Sequence, residues 1–262
     1  MALAHLSDAW RLTGRTALVT GASHGIGRAA ARELAGFGAD LLLVARDAAG
    51  LETTRQELAE AFPAIEVLAL AADLVEAEDR LAVFDWITDL GFSPSILVNN
   101  AGGNQPRAAL DYAPEELRAI FELNTFAAFE MCRLAHPFLA THGGAAIVNV
   151  GSVSGITHVR TGAAYGMSKA ALHQLTRNLA VEWAADGIRV NAVAPWYIRT
   201  RRSALALADA DYREEVLERT PLKRIGEPEE VAAAIVFLCL PAAAYVTGQV
   251  LAVDGGFLAL GF

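Results

Sequence analysis

The sequence predicts one doubly wound α/β domain, and three observations carry that expectation. Short runs rich in Val, Leu and Ile recur without alternating with polar residues, the pattern of strands covered on both faces. Helical segments separate them, and alternating strand and helix builds a parallel sheet. No long Gly, Ser or Pro linker, repeat or block of like charge divides the 262 residues.

The strand candidates are Thr16–Thr20, Leu41–Ala45, Val67–Ala71, Ile96–Val98, Ala146–Val150, Arg189–Val193 and Val250–Val253. Among the helices, Ile26–Gly36 is rich in Ala and Leu51–Phe62 is amphipathic. Pro114 and Pro228 are each followed by two glutamates. Proline presets φ and lacks only a donor that a helix start leaves unused, while acids there favour the helix dipole, so both mark first turns. The polar stretch Trp196–Arg219 breaks the rhythm and reads as a helical flap beside a site.

Lys and Arg number 21 against 30 Asp and Glu, a net charge of −9, in a chain that is 54% hydrophobic and 19% charged. That describes a core-rich, acidic globule and excludes disordered and collagen-like classes. The acidic balance argues against nucleic-acid and anionic-membrane partners. Cys132 and Cys239 are too few for a disulfide framework or zinc site and fit a reducing, cytoplasmic setting. Met1–Arg15 carries His5, Asp8 and Arg11 where a secretory signal needs an apolar stretch, so it reads as mature protein. Val231–Tyr245 is interrupted by Pro241 and falls short of the roughly 20 residues that span a bilayer, and is expected as a buried helix.

The first chemical motif is Thr20-Gly21-Ala22-Ser23-His24-Gly25-Ile26-Gly27, between the first strand and first helix. A turn without side chains lets a pyrophosphate reach helix N-terminal amides; a tight turn made only for helix packing is the alternative. At the end of the second strand, Ala45 stands where a ribose-binding acid would select NAD, and Arg46 follows with a planar donor fork suited to a 2′-phosphate. His24 adds a second donor. The expectation is NADP(H) over NAD(H), against the alternative that Arg46 simply pairs with Asp47.

Tyr165 and Lys169, four residues apart, share one face of a helix. A nearby ammonium favours phenolate, so Lys169 is expected to lower the phenol's pKa toward that of a proton donor or acceptor. Ser152 follows the strand Ala146–Val150, at the carboxyl end where α/β sheets build sites, and its hydroxyl could hold a carbonyl oxygen.

Together these residues resemble the short-chain dehydrogenase/reductase family over nearly the whole chain, Leu12 to Phe262. The motifs stand in the family's order: Thr20–Gly27, Asp73, Asn99-Asn100-Ala101-Gly102, Asn124, Ser152, Tyr165 with Lys169, and Asn191–Thr200. The resemblance implies a single Rossmann domain with a seven-stranded parallel sheet, assembled as a homotetramer or homodimer. It also implies hydride transfer between nicotinamide and a carbonyl or alcohol on a small molecule. Carried over residue by residue, it makes Tyr165 the general acid in reduction and base in oxidation. Lys169 would bond the nicotinamide ribose, Ser152 would orient the substrate oxygen, and Asn124 would hold a relay water behind the lysine. It places the cofactor against Gly21, Ser23, His24, Gly25, Ile26, Gly27, Arg46, Asp73, Leu74, Asn100, Ala101, Gly102, Tyr165, Lys169, Pro195, Trp196, Ile198 and Thr200. For Asp73, the cap of the following helix is a coexisting role.

Trp196 stands where much of the family has Gly, and with Tyr197, Ala180–Ala184 and the tail from Thr247 it is similar to the tropinone-reductase-like subgroup. Connections after strands four to six supply the pocket candidates Gln105, Arg107, Ser154, His158, Arg160, Trp196 and Tyr197. Arg107 and Arg160 either hold an anionic substrate group or pair with neighbouring acids. Arg199–Arg202 reads as surface or interface charge, or as a contact with the cofactor pyrophosphate. His136 and His173 lack a metal-ligand partner at useful spacing and read as structural, and catalysis is expected to need no metal. Besides a ketone reductase or secondary-alcohol dehydrogenase, the sequence leaves open a sugar-acid, polyol or hydroxy-acid dehydrogenase, and a non-catalytic nucleotide sensor.

Overall fold

The computed structural model describes residues 8–261. The expectation of a mature N-terminus rests partly on residues 1–7, which lie outside that range, as does Phe262 at the end of the resemblance. Seven strands, β1 (Thr16–Thr20), β2 (Asp40–Ala45), β3 (Val67–Ala71), β4 (Ile96–Asn99), β5 (Ala145–Val150), β6 (Ile188–Pro195) and β7 (Val250–Val253), form one sheet. Its order is β3-β2-β1-β4-β5-β6-β7 and every pairing is parallel. The expected runs differ from these strands by at most two residues at an end.

Burial follows from the order. β1 and β5 are buried at every residue, whereas the two edge strands, β3 and β7, are only partly covered. The helices α1 (Gly25–Gly36), α2 (Ala48–Ala61) and α9 (Pro228–Cys239) join one apolar cluster; α3 (Ala77–Asp89), α5 (Ala127–Leu139) and α6 (Ala163–Glu182) join the other. α4 (Pro114–Phe121) and α9 begin on the prolines the sequence marked.

The apolar segment that begins at Val231 forms the buried helix expected of it: Val231, Ala232, Ile235 and Val236 are covered within the chain, in the cluster that includes the alanines of α1. Small residues on α1 let the two helices approach, and each buried Val or Ile contributes roughly 1.5–3 kcal/mol. No helix of the described residues is long and apolar enough to cross a membrane.

Two asparagines sit side by side in the sheet. Asn99 of β4 pairs in register with Asn149 of β5, and its Nδ2 donates to Asn149 Oδ1 at 2.9 Å. Asn149 Nδ2 donates in turn to Thr176 Oγ1 on α6 at 2.9 Å. All three are buried.

Crossing from β3 to β4 carries the chain from one side of β1 to the other. Such a reversal opens a crevice beyond the carboxyl ends of the strands, where ligands bind in this architecture.

Candidate active site

That crevice is a cavity of about 1150 Å³, above the roughly 300–1,000 Å³ of ordinary small-ligand pockets. At one end lies the glycine turn. Gly21 has φ +64°, in the left-handed region that favours glycine, and a Cβ on Gly27 would lie 2.3 Å from both Asn100 Nδ2 and the Gly21 carbonyl. Asn100 Nδ2 donates to the carbonyls of Thr20 at 3.0 Å and Gly21 at 3.1 Å, tying the turn to the loop after β4.

His24 occupies the N-cap of α1 but makes no side-chain cap bond, and the first turn carries no acid. The amides of that turn therefore lack a side-chain acceptor, beside a cavity lined by Ser23, His24, Gly25 and Ile26. This donor set fits a nucleotide diphosphate. His24 Nδ1 and Ser23 Oγ are 2.9 Å apart, and burial followed by the charge of Arg201 lowers the imidazole's pKa.

Arg46 lies at the cavity wall with its side chain 73% exposed. It pairs with Asp73 at 3.3 Å and not with its neighbour Asp47, which caps α2 by accepting from Gly50 N. Asp73 is not a helix cap either. Glu76 holds the N-cap of α3, and Asp73 Oδ1 accepts from Val75 N at 3.2 Å. Leu74 is buried beside it on the same wall.

At the other end, Ser152 leaves β5 in an extended conformation and accepts from Ser154 N at 3.1 Å. Tyr165 and Lys169 project from α6 into the same cavity. Lys169 Nζ donates to the Val150 carbonyl at 2.8 Å and stands 5.8 Å from the centre of the Tyr165 ring. Without ligands in the cavity, Lys169 is not among the charges that oppose the effect of burial on the phenol. Burial raises the Tyr165 pKa, opposed first by the charge of Arg202 and then by a hydrogen bond with Ser152. Burial, with Arg202, also lowers Lys169 to about 7, so the lysine is a weakened source of positive charge.

Asn124 lies behind this group, buried, in a π-helical turn over Glu122–Phe126 that joins α4 to α5. Its Oδ1 accepts from Gly103 N and its Nδ2 donates to Gly103 O, each at 2.8 Å. A Cβ on Gly102 would lie 2.8 Å from Asn124 Oδ1 and 3.4 Å from Lys169 Nζ, so Asn124, Gly102 and Lys169 share one small space.

His173 continues the stripe of Tyr165 and Lys169 on α6 and is buried beneath Ser152, whose N–H points at its Nε2 at 3.5 Å. A Cβ on Gly151 would meet that ring at 2.1 Å. Burial, then Lys169 and Arg177, lowers the imidazole from 6.5 to about 4. Between those values the unfolded chain takes up a proton that the folded one refuses, so this contribution to stability is present above pH 6.5 and lost as pH falls to about 4. The difference is worth roughly 3 kcal/mol. His173→Asn is expected to lose less stability than wild type between pH 6.5 and 4 in denaturant titrations; equal losses would remove His173 as the source.

Of the pocket candidates, Ser154, Arg160, Trp196 and Tyr197 line the cavity. Gln105, Arg107 and His158 do not: all three are exposed, while their chain neighbours Asn104, Pro106 and Val159 face the cavity. Both arginines are paired: Arg107 with Glu116 at 2.9 Å, and Arg160 with Glu215 while lying over the Tyr212 ring. Trp196 stacks on Phe257 at 3.7 Å, and Tyr197 OH meets Tyr212 OH at 2.5 Å.

Segment 196–219 follows directly on β6 and then forms α7 (Arg201–Ala208) and α8 (Ala210–Glu218). The sequence reading offered Arg202 only as surface or interface charge or a pyrophosphate contact, and missed Leu205, Ala206 and Asp209, which line the cavity with it. Their i, i+3, i+4, i+7 spacing was the available signal, since it puts them on one helix face. It also missed Asn104, Val159, Thr161 and Tyr212.

Residues 21–258 match a family model described as enoyl-(acyl carrier protein) reductase. A tropinone reductase homolog of Arabidopsis thaliana is 42% identical over 97% of this chain and 96% of its own. Among solved structures, a gluconate 5-dehydrogenase from Burkholderia cenocepacia in complex with NADP and tartrate superposes with a TM-score of 0.92 at 31% identity, covering 98% of this chain and 100% of that one. A short-chain type dehydrogenase/reductase from Mycobacterium marinum gives 0.89 at 33%, with 97% and 99% covered. A glycine turn, a Ser, Tyr and Lys group around one crevice, and these full-length matches lead to one conclusion: the chain belongs to the short-chain dehydrogenase/reductase family and is an oxidoreductase of CH–OH and C=O groups.

Proposed function

We propose that the protein is an NADP(H)-dependent reductase of ketones, acting reversibly as a secondary-alcohol dehydrogenase. The observation that carries the reading is the convergence of Ser152, Tyr165 and Lys169 on the cavity that also holds the glycine turn and Arg46.

The chemistry a nicotinamide cofactor would supply, when bound in this cavity, is hydride for the carbonyl carbon. Tyr165 Oη donates the proton that the substrate oxygen needs, and takes it back when the alcohol is oxidised. Ser152 Oγ donates a hydrogen bond to the same oxygen, whose negative charge grows as hydride arrives; donors aimed at developing charge act most in the transition state. Lys169 would hold the nicotinamide ribose, and Asn124 keeps the backbone at Gly103 in place behind it. A phenol kept neutral by burial suits the reductive direction, in which it must carry a proton to give.

Preference for NADP(H) rests on Arg46, with Ala45 in place of an acid. Arg46→Ala is expected to raise the KM for NADPH about tenfold or more and to leave that for NADH within about twofold. Steady-state oxidation of each cofactor with a panel of cyclic and acyclic ketones measures both; equal losses with the two cofactors would defeat the preference.

A further inference from the structure

The cavity contains a guanidinium that meets no acid. Arg202, the second residue of α7, reaches over the cavity and donates to the Gly102 carbonyl, and among the described residues this is its hydrogen-bond partner and it forms no ion pair. Most other arginines so far linked with a ligand are neutralised, Arg46 by Asp73, Arg107 by Glu116, Arg160 by Glu215 and Arg199 by Glu227; among the described residues Arg201, which also lines the cavity, shares with Arg202 the lack of an ion pair.

Its position is specific. Gly102 is the residue pressed between Asn124 and Lys169, so a charge bound to its carbonyl stands over the reacting pair. The field of Arg202 acts on both Tyr165 and Lys169. Arg201 differs: successive residues on a helix point about 100° apart, and Arg201 acts first on His24, at the diphosphate end. The charge of Arg202 reaches His24 as well, behind those of Arg201 and Asp47, whereas Tyr165 and Lys169 feel Arg202 and not Arg201.

We propose that Arg202 binds the carboxylate of an acid substrate, so that the enzyme acts on oxo and hydroxy acids in preference to neutral ketones. On binding, the guanidinium exchanges the Gly102 carbonyl for a charge-assisted, two-pronged pair with the carboxylate. This deepens the proposed function and rests on it for the chemistry. The other anionic oxygen group that could satisfy Arg202 is the cofactor's diphosphate.

Calorimetric titration of tartrate, and of threitol as its neutral counterpart, into wild type and Arg202→Gln, with and without NADP+, tests the assignment. Tartrate is expected to bind wild type at least about tenfold more tightly than Arg202→Gln, with threitol weak and equal in both and NADP+ affinity within about twofold. Arg202→Lys, which keeps the charge but not the fork, should recover part of the loss. Unchanged tartrate affinity in Arg202→Gln, or no saturable tartrate binding to wild type, overturns the proposal. So does a loss of NADP+ affinity with tartrate unaffected, which would give the guanidinium to the diphosphate. Failure of NADP+ to bind wild type overturns the cofactor assignment alone, because tartrate titrated into the free protein still reports on Arg202.

Discussion

The Tyr165→Phe enzyme is expected to turn over about a thousandfold more slowly than wild type while binding NADPH within about twofold of its affinity. The substitution removes one oxygen and keeps the ring, so the contact between Lys169 and the Tyr165 ring is preserved. What is lost is the proton carrier and, with it, one of the two donors to the substrate oxygen. Fluorescence titration separates binding from turnover, and full activity in the variant would refute the mechanism. The direction of the pKa shift adds a signature in wild type. Burial raises the phenol, so reduction should persist into alkaline solution until the proton is lost, whereas oxidation should rise over that same range. An alkaline limb in the reductive pH profile falling below the ordinary tyrosine value of about 10 would contradict this.

Gly27→Ala is expected to weaken dinucleotide binding by about a hundredfold or more. The added methyl would sit 2.3 Å from both Asn100 Nδ2 and the Gly21 carbonyl, distances at which atoms must move. Neither neighbour can give easily, since Gly21 is backbone and the Asn100 amide is held by two carbonyls. Overpacking of this kind costs typically 1–3 kcal/mol of stability, which melting measurements would report separately from affinity. An unchanged cofactor affinity would mean that the turn is there for helix packing alone.

Much of this molecule is legible from its residues because it is built from buried apolar strands. Runs such as Leu41–Ala45 have no polar face, and a parallel sheet is the way to cover both sides. The glycine turn, Ser152, Tyr165 and Lys169 are legible too, because short-range spacing and chain order place them. Three kinds of information are not. Which residues of a loop face the cavity, Asn104, Pro106 and Val159, and which face away, Gln105, Arg107 and His158, depends on long-range packing, and nothing local in those residues encodes it. The partners of Arg46 and Arg160 lie 27 and 55 positions away along the chain, so nearest-neighbour reasoning offered Asp47 for the first. The acidity of Tyr165 depends on burial set against charge, and spacing alone gives only the lysine's side of that balance.

The amide ladder from Asn99 through Asn149 to Thr176 has a consequence for how the two loops that carry the chemistry stay level. Sliding β4 against β5 by a single residue would turn one carboxamide to the opposite side of the sheet and leave its former mate dry and unpaired, at roughly 1–3 kcal/mol. A purely hydrocarbon interior tolerates such slippage far more readily. The pair therefore works as an alignment peg, setting the height at which the Asn100–Gly102 turn and Ser152 emerge side by side.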